Sequence, residues 1–267
     1  MPTQKIINAA LKTIRSLPGW PALRVLDLSC GDGQIIDALA REGCHVEGTH
    51  FRNDDYIFQN PSATLQTATI HKNVDLTRPL PLPDASYDVV LATEVLEHLP
   101  AHQPICAEVA RILNKDGYFI FSTPNIQRLH SRLQFFLTGH HELRSARLGW
   151  HIPPSHLYTT HHNPVYFPVM HTLLYHNQLR VKRLVFTRTK LRAFSLLPIY
   201  PLIYITSLIE ARHSLKRSYA GGKDLLRWMI DVRMLLSEQL MVVAQKTPDA
   251  NDTHPEKAAQ TTGKTSH

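Results

Sequence analysis

Two carboxylates and two glycines between Asp27 and Gly33 are the first chemistry that this 267-residue chain offers. Asp27 sits in the apolar run "RVLDL", and "SCGDG" follows, with Gly31 and Gly33 on either side of Asp32. A strand that runs into a glycine turn and then a helix presents backbone N–H groups to a small ligand, ordinarily a nucleotide phosphate. Two acids at this place would repel a pyrophosphate. Ile36 also stands where a dinucleotide fingerprint needs its third glycine. A ligand with a cationic end suits the loop better, and S-adenosylmethionine, with its sulfonium and ammonium, is one. A turn that merely joins strand to helix is the plain alternative.

Further on, "EVLEHL" sets Glu97 beside His98. An oxygen acceptor needs its proton removed by a group that titrates near working pH, and a histidine does. Helix packing and loop geometry are the other use for this pair. Seven histidines lie between 140 and 171: His140, His141, His151, His156, His161, His162 and His171. Their spacings match no familiar ligand pattern, no cysteine accompanies them and Glu142 is the carboxylate among them, so no metal is expected. The stretch "GWHIPPSHLY" instead offers Trp150, His151, His156 and Tyr158 to an aromatic or sugar-like acceptor, with ordinary loop histidines as the alternative.

These groups need a frame, and the chain supplies one by alternation. "RVLDL" reads as a strand, residues from about Gly33 to Arg41 as a helix, and "CHVEGTH" as a second strand. A short third strand belongs before "VDL" at 74–76, and "DVVLAT" is a buried fourth. "EVLEHL" and "QPICAEVARIL" read as helical pieces, and "GYFIFSTP" as a fifth strand introduced by the turn "NKDG". Such alternation predicts βαβ units and a parallel sheet that binds ligands at the carboxyl ends of its strands. Residues 125–162 read as irregular. A helix is expected from Asn163 as N-cap, with Pro164 in its first turn, to about Tyr175. "RVKRLVFT" is then a sixth strand and "QLMVVAQ" a seventh, separated by an uncharged run over 193–209 and a charged helix over 224–237.

The domain organisation follows. An amphipathic helix occupies 1–19, with Ile6, Ile7, Ala10, Leu11 and Ile14 on one face. The core covers 20–187, with an acceptor-lid insertion at 125–162. An apolar and basic insertion fills 188–237, the last strand 238–246, and a polar, disordered tail 247–267. At 43% hydrophobic and 19% charged residues the chain reads as globular. Its formal charge of +7 suits a negatively charged surface, membrane or nucleic acid, without choosing between them. Three scattered cysteines and the lack of a secretory apolar run point to a reducing, cytoplasmic setting.

"VLDLSCGDG" resembles motif I of the class I S-adenosylmethionine-dependent methyltransferases. "DLTRPLPLPDASYDVVLATEVLEHL" resembles that family's stretch between the third and fourth strands, and "EVARILNKDGYFIFSTPN" is similar to its following helix and fifth strand. The likeness covers about residues 20–126 and is closest to the ubiquinone-biosynthesis O-methyltransferase type and the uncharacterised bacterial methyltransferases around it. It implies an α/β fold: a Rossmann-like doubly wound sheet of about seven strands, the last antiparallel, with an apolar helical insertion between the last two. It also implies S-adenosylmethionine as cofactor. Asp27, Ser29, Cys30, Gly31 and Gly33 would line the methionine end, Asp75 and Leu76 would meet adenine, and Thr93 and Glu94 would lie beside the sulfonium. Two departures stand out. Ser29 replaces the first loop glycine, and His50 stands where the family's second strand ends in an acid that holds both ribose hydroxyls. A neutral imidazole accepts only one such bond, so either Asp54 or Asp55 substitutes or the cofactor binds more weakly.

The function implied is methyl transfer to a small-molecule or lipid-linked acceptor, at oxygen, with His98 and Glu97 as the catalytic candidates. A non-catalytic cofactor-binding module is the rival, motivated by His50. Nucleic acid is disfavoured. The DNA amino-methylating enzymes carry Asn or Asp followed by Pro-Pro-aromatic where this chain reads "ATEVLE". Its late cations, Lys182, Arg183, Arg188, Lys190, Arg192, Arg212, Lys216 and Arg217, bracket the apolar run. That run, "FSLLPIYPLIYITSLI", is shorter than the roughly 20 apolar residues a spanning helix needs. Pro198 and Pro201 interrupt it, and a single crossing would put the sixth and seventh strands, which pair in the resembled fold, on opposite sides of a bilayer. An in-plane segment on the anionic inner face of a membrane is expected, with Leu202, Ile203 and Ile205 in contact. Burial against the core or a dimer partner is the alternative.

Overall fold

Apolar residues run without interruption through the central strands, and both of their faces are covered. The computed structural model describes residues 2–51, 62–141, 160–187, 189, 191–215 and 222–247. Its strands are β1 (Arg24–Asp27), β2 (His45–Thr49), β3 (Thr69–His71), β4 (Tyr87–Thr93), β5 (Leu113–Pro124), β6 (Leu179–Phe186) and β7 (Gln239–Lys246). They form one sheet in the order β3-β2-β1-β4-β5-β7-β6. Every pair from β3 to β5 is parallel, and β7 runs antiparallel to both β5 and β6. The doubly wound, Rossmann-like sheet with an antiparallel last strand is therefore as expected.

The pleat sends successive side chains to opposite faces. Leu26, Val90, Phe119, Phe121 and Val242 enter one core, under α4 (Gln103–Ile112) and α6 (Phe167–His176). Val25, Val89, Leu91, Ile120 and Val243 enter the other, under α1 (Gln4–Arg15), α2 (Gln34–Arg41) and the short α3 (Ala63–Gln66). The apolar stripe of α1, from Ile6 to Ile14, packs there as its spacing predicts.

Gly48 shows how tightly α2 lies on β2. A Cβ at that position would sit 2.5 Å from Ile36 Cδ1, 3.0 Å from Cys30 Sγ and 3.1 Å from Ile70 Cδ1. Ile36 is itself fully buried, so it has little room to yield. Gly48→Ala should therefore cost about 1–3 kcal/mol through overpacking. Urea unfolding would show this as a lower midpoint at unchanged slope, and an unshifted midpoint would contradict the packing described.

Four expectations need correction. Residues 125–162 are not wholly irregular, because α5 (Leu129–Thr138) forms among them. Its Leu129 packs with Leu235 and Leu236, and left-handed Gly139 closes it with an N–H bond to the Phe135 carbonyl at 2.8 Å. Helix α6 begins at Phe167, not Asn163, because the Asn163 side chain donates to the Leu99 carbonyl at 2.9 Å instead of capping. The turn "NKDG" lies inside β5, where left-handed Asp116 falls at a register shift between Leu113 and Tyr118. The expected charged helix is two, α8 (Gly222–Met229) and α9 (Val232–Leu236), since Asp231 caps α9 by accepting from the Arg233 N–H. Ahead of them the apolar run forms a 3-10 segment, Leu191–Ile199, and then α7 (Tyr200–Leu215).

Candidate active site

The carboxyl ends of β1, β2 and β4 meet at one edge of the sheet. At the end of β1 the backbone turns left-handed at Ser29 (φ 57), Gly31 (φ 57) and Gly33 (φ 74) before α2 starts. The loop is clamped to β2: the Ser29 N–H donates to Thr49 Oγ1 and the Cys30 N–H to the Thr49 carbonyl, both at 3.0 Å. A Cβ on Gly31 would meet nothing within 4 Å, so the loop is open on that side. The Cys30 thiol turns the other way, into the core beneath α2, so only its backbone faces the loop; burial pushes its pKa up.

Asp27 lies beneath the loop, 2% exposed, and its Oδ1 has no hydrogen-bond partner. Burial, with the Asp32 charge adding to it, lifts its pKa to about 8. A buried carboxylate without a donor is what a cationic group would satisfy. The open loop and the orphaned acid together fit the methionine end of S-adenosylmethionine.

His50, one residue past β2, joins two loops through its backbone. Its N–H donates to the His71 carbonyl at 2.9 Å, and its carbonyl accepts from the Val74 N–H at 3.0 Å. The loop that carries Asp75 and Leu76 is thereby tied to the end of β2. Asp75 Oδ1 accepts from both the Thr77 hydroxyl (2.7 Å) and the Thr77 N–H (2.9 Å), which holds this carboxyl below its ordinary pKa. An acid at position 50 would present two acceptors to the ribose hydroxyls where an imidazole presents one. His50→Asp should therefore tighten cofactor binding by about 1 kcal/mol, roughly fivefold, in a calorimetric titration. Unchanged or weaker binding would place the ribose contact elsewhere. Asp54 and Asp55 lie outside the described residues.

At the end of β4, Thr93 is buried and Glu94 takes a left-handed φ of 55. Glu94 is tied across three strands: its N–H donates to the Ser122 carbonyl (3.1 Å), Ser122 Oγ donates to its Oε1 (2.9 Å), and Gln239 Nε2 donates to its Oε2 (3.3 Å). Burial nonetheless raises its pKa. Glu97, in the 3-10 turn Leu96–His98, is completely buried, and neither carboxylate oxygen has a hydrogen-bond partner. Burial first, and the Glu94 charge second, lift its pKa to about 8.

His98 Nδ1 lies 3.0 Å from the Thr160 carbonyl, so that nitrogen carries the proton and Nε2 is the acceptor of the ring. The His161 ring stands edge-on to His98, with centroids 4.7 Å apart. Burial, and then His98, lower the His161 pKa to about 4, so this imidazole is neutral. Ligand atoms of Glu97, His98 and His161 all lie within 4.8 Å of one another. Such a set can serve a proton transfer or hold a small divalent cation.

Sequence reasoning missed His161 and Asn163 at this place. The Asn163 N–H donates to the Glu97 carbonyl at 3.2 Å, and its side chain reaches Leu99, so residues 160–163 fold over the end of β4. The other histidines disperse. His171 is buried on α6, edge-on to Phe167, His140 meets Thr138, and His141 meets Ser131 and stacks on Phe135. The acceptor-lid candidates Trp150, His151, His156 and Tyr158 lie outside the described residues.

Residues 26–121 match the family model described as a methyltransferase domain. A ubiquinone biosynthesis O-methyltransferase of Paracidovorax citrulli is 31% identical over 126 residues, which are 46% of this chain and 53% of that protein. The chain thus spans about half the length of the curated relatives it matches. Among solved structures, a SAM-dependent methyltransferase from Archaeoglobus fulgidus aligns at TM-score 0.53 and 17% identity, covering 91% of this chain and 95% of that one. Magnesium protoporphyrin IX methyltransferase from Synechocystis, solved with bound SAH, aligns at TM-score 0.51 and 15% identity, covering 91% and 83%. At such identities these two show the fold alone.

Proposed function

From the match of residues 26–121 to a methyltransferase domain, we propose that this chain is an S-adenosylmethionine-dependent enzyme of class I that transfers a methyl group to the oxygen of a small-molecule or lipid-linked acceptor. One observation supports the reading: His98 Nδ1 lies 3.0 Å from the Thr160 carbonyl just past the end of β4, the strand beside β1 and its Asp27 loop, which makes Nε2 the acceptor nitrogen of the ring. The cofactor, when bound, supplies an electrophilic methyl carbon on a sulfonium that leaves as a neutral thioether. The chain supplies the rest. Asp27 and the loop amides hold the charged methionine end, and Asp75 and Leu76 border the adenine. Thr93 and Glu94 shape the wall beside the sulfur. His98 Nε2 takes the acceptor hydroxyl proton as the oxygen–carbon bond forms. Orientation of oxygen, carbon and sulfur in line provides much of the rate.

The oxygen acceptor is supported by the names of the curated relatives, and the proton-accepting imidazole agrees with it. A cytoplasmic enzyme, peripheral on the inner face of the membrane, is the localisation proposed. His50 in the ribose position favours one rival, a module that binds the cofactor without turnover. Cell extracts with and without the protein, incubated with methyl-labelled cofactor, separate the two by mass spectrometry. The enzyme yields a metabolite heavier by one labelled methyl group. Tight cofactor binding with label in no fraction would leave only the module.

A further inference from the structure

We propose that the outward face of α7, together with the exposed end of α5, docks in the headgroup region of an anionic lipid bilayer. The consequence, that an acceptor carried in that bilayer is delivered to the site, rests on the methyl-transfer reading above; the docking itself does not. The insertion between β6 and β7 has two sides. Leu196, Leu197, Tyr200 and Ile203 face inward and pack with Leu129, Leu235 and Leu236, and the Tyr200 hydroxyl donates to the Ile230 carbonyl at 3.2 Å. Leu202, Ile205 and Ile209 lie on the opposite side at i, i+3 and i+7, and are 62%, 55% and 52% exposed. Phe136 and Leu137 on α5, which packs against the 3-10 segment, are 83% and 68% exposed. Most of the exposed large apolar side chains among the described residues are on these two elements, a concentration that marks a contact surface.

Lipid is the occupant that the other observations select. The window Ala193–Glu210 is long and apolar enough to enter a membrane, and no residue in it is fully buried inside the protein. It cannot cross one. β6 and β7 flank the insertion and pair antiparallel, Leu184 opposite Val242, so the chain must return to the sheet it left. An apolar segment lying in the plane, its outward side chains in the headgroup region, satisfies both facts. Charge decides between lipid and a second copy. In sequence, Arg188, Lys190 and Arg192 precede the window and Arg212, Lys216 and Arg217 follow it, while Glu210 is the one acid from 188 to 217. A segment so flanked in sequence brings like charge from each of two copies, which disfavours self-association, whereas anionic headgroups neutralise it.

The full chain is tested by co-sedimentation with phosphatidylcholine vesicles made with and without phosphatidylglycerol. Binding is expected on the anionic vesicles at low salt, falling about tenfold when added salt shortens the Debye length. Leu202→Ser combined with Ile205→Ser and Ile209→Ser should reduce it about tenfold further, and Phe136→Ser should reduce it independently, both with unchanged unfolding midpoints because these side chains face outward. Ile203→Ser is the contrast, since an inward residue should lower the midpoint. Calorimetric cofactor binding by the same samples separates the two readings: variants that lose vesicles but keep the cofactor leave methyl transfer standing. The docking is overturned if wild-type protein ignores anionic vesicles at low salt, or if the folded triple variant still pellets with them. It is also overturned if light scattering finds a dimer that the triple variant dissolves.

Discussion

Asp27→Asn should weaken S-adenosylmethionine binding at least about tenfold, roughly 1.4 kcal/mol, while making the cofactor-free protein more stable at alkaline pH. The two effects share one cause. The Asp27 carboxyl is buried with Oδ1 unpartnered, and its pKa is near 8 against an ordinary value of 3.8. Between those values the native state holds a proton that the unfolded chain has released, so stability falls as pH rises through that window. Each pKa unit is worth about 1.4 kcal/mol. Asparagine cannot ionise and escapes the loss, so urea unfolding at pH 9 should favour the variant by roughly 1–3 kcal/mol after its amide has lost some solvation. For the cofactor the sign reverses. A cationic methionine end binds the ionised acid, so wild-type affinity should rise with pH toward 8 and binding at neutral pH should release a proton. The variant's affinity should be flat and weak. Equal affinity in both proteins would remove Asp27 from the site, and binding of NADH without S-adenosylmethionine would defeat the cofactor assignment.

That Asp27 could be singled out from sequence reflects how local its surroundings are. A strand, a left-handed loop and a helix start all lie within residues 24–41, and each has its own signature. The central strands were legible for a similar reason: "DVVLA" is apolar on both faces, and both faces are covered. Helix α5 was not legible, because Leu133, Phe136 and Leu137 are exposed and leave no clean inward stripe. Asn163 looked like a cap because an asparagine before a proline usually is one; its amide is spent on a bond to Leu99, a distant residue. His161 has no local signal at all. It reaches Glu97 and His98 only because residues 160–163 are bonded to the loop after β4. On α7, apolar nearly all round, the sequence carries no signal of which side packs: Leu202 and Ile205 are exposed, whereas Ile203 packs with Leu129, Leu235 and Leu236.

His98→Ala should lower kcat by about 10²–10⁴ with KM and cofactor affinity close to wild type. On the reading proposed above His98 is the base and its neighbours are not. Nδ1 is committed to the Thr160 carbonyl, so Nε2 is the atom that can take a proton. Glu97 has its pKa lifted to about 8 and is protonated at neutral pH, so it neither accepts the proton nor pairs electrostatically with an imidazolium. Glutamine closely resembles a protonated glutamate, and Glu97→Gln should therefore stay within about threefold of wild-type kcat at pH 7. The pH–rate profile of the His98→Ala variant should differ in shape from that of the wild type. A purely structural His98 would lower the unfolding midpoint and cofactor affinity together and leave the pH profile unchanged in shape. A third outcome is as informative. If Glu97→Gln falls with His98→Ala, and a chelator abolishes wild-type activity until a divalent cation restores it, then Glu97, His98 and His161 are ligands and His98 is not the base. The glutamine variant divides these cases because a neutral amide can replace a neutral acid in packing, whereas a metal site needs the ionised carboxylate.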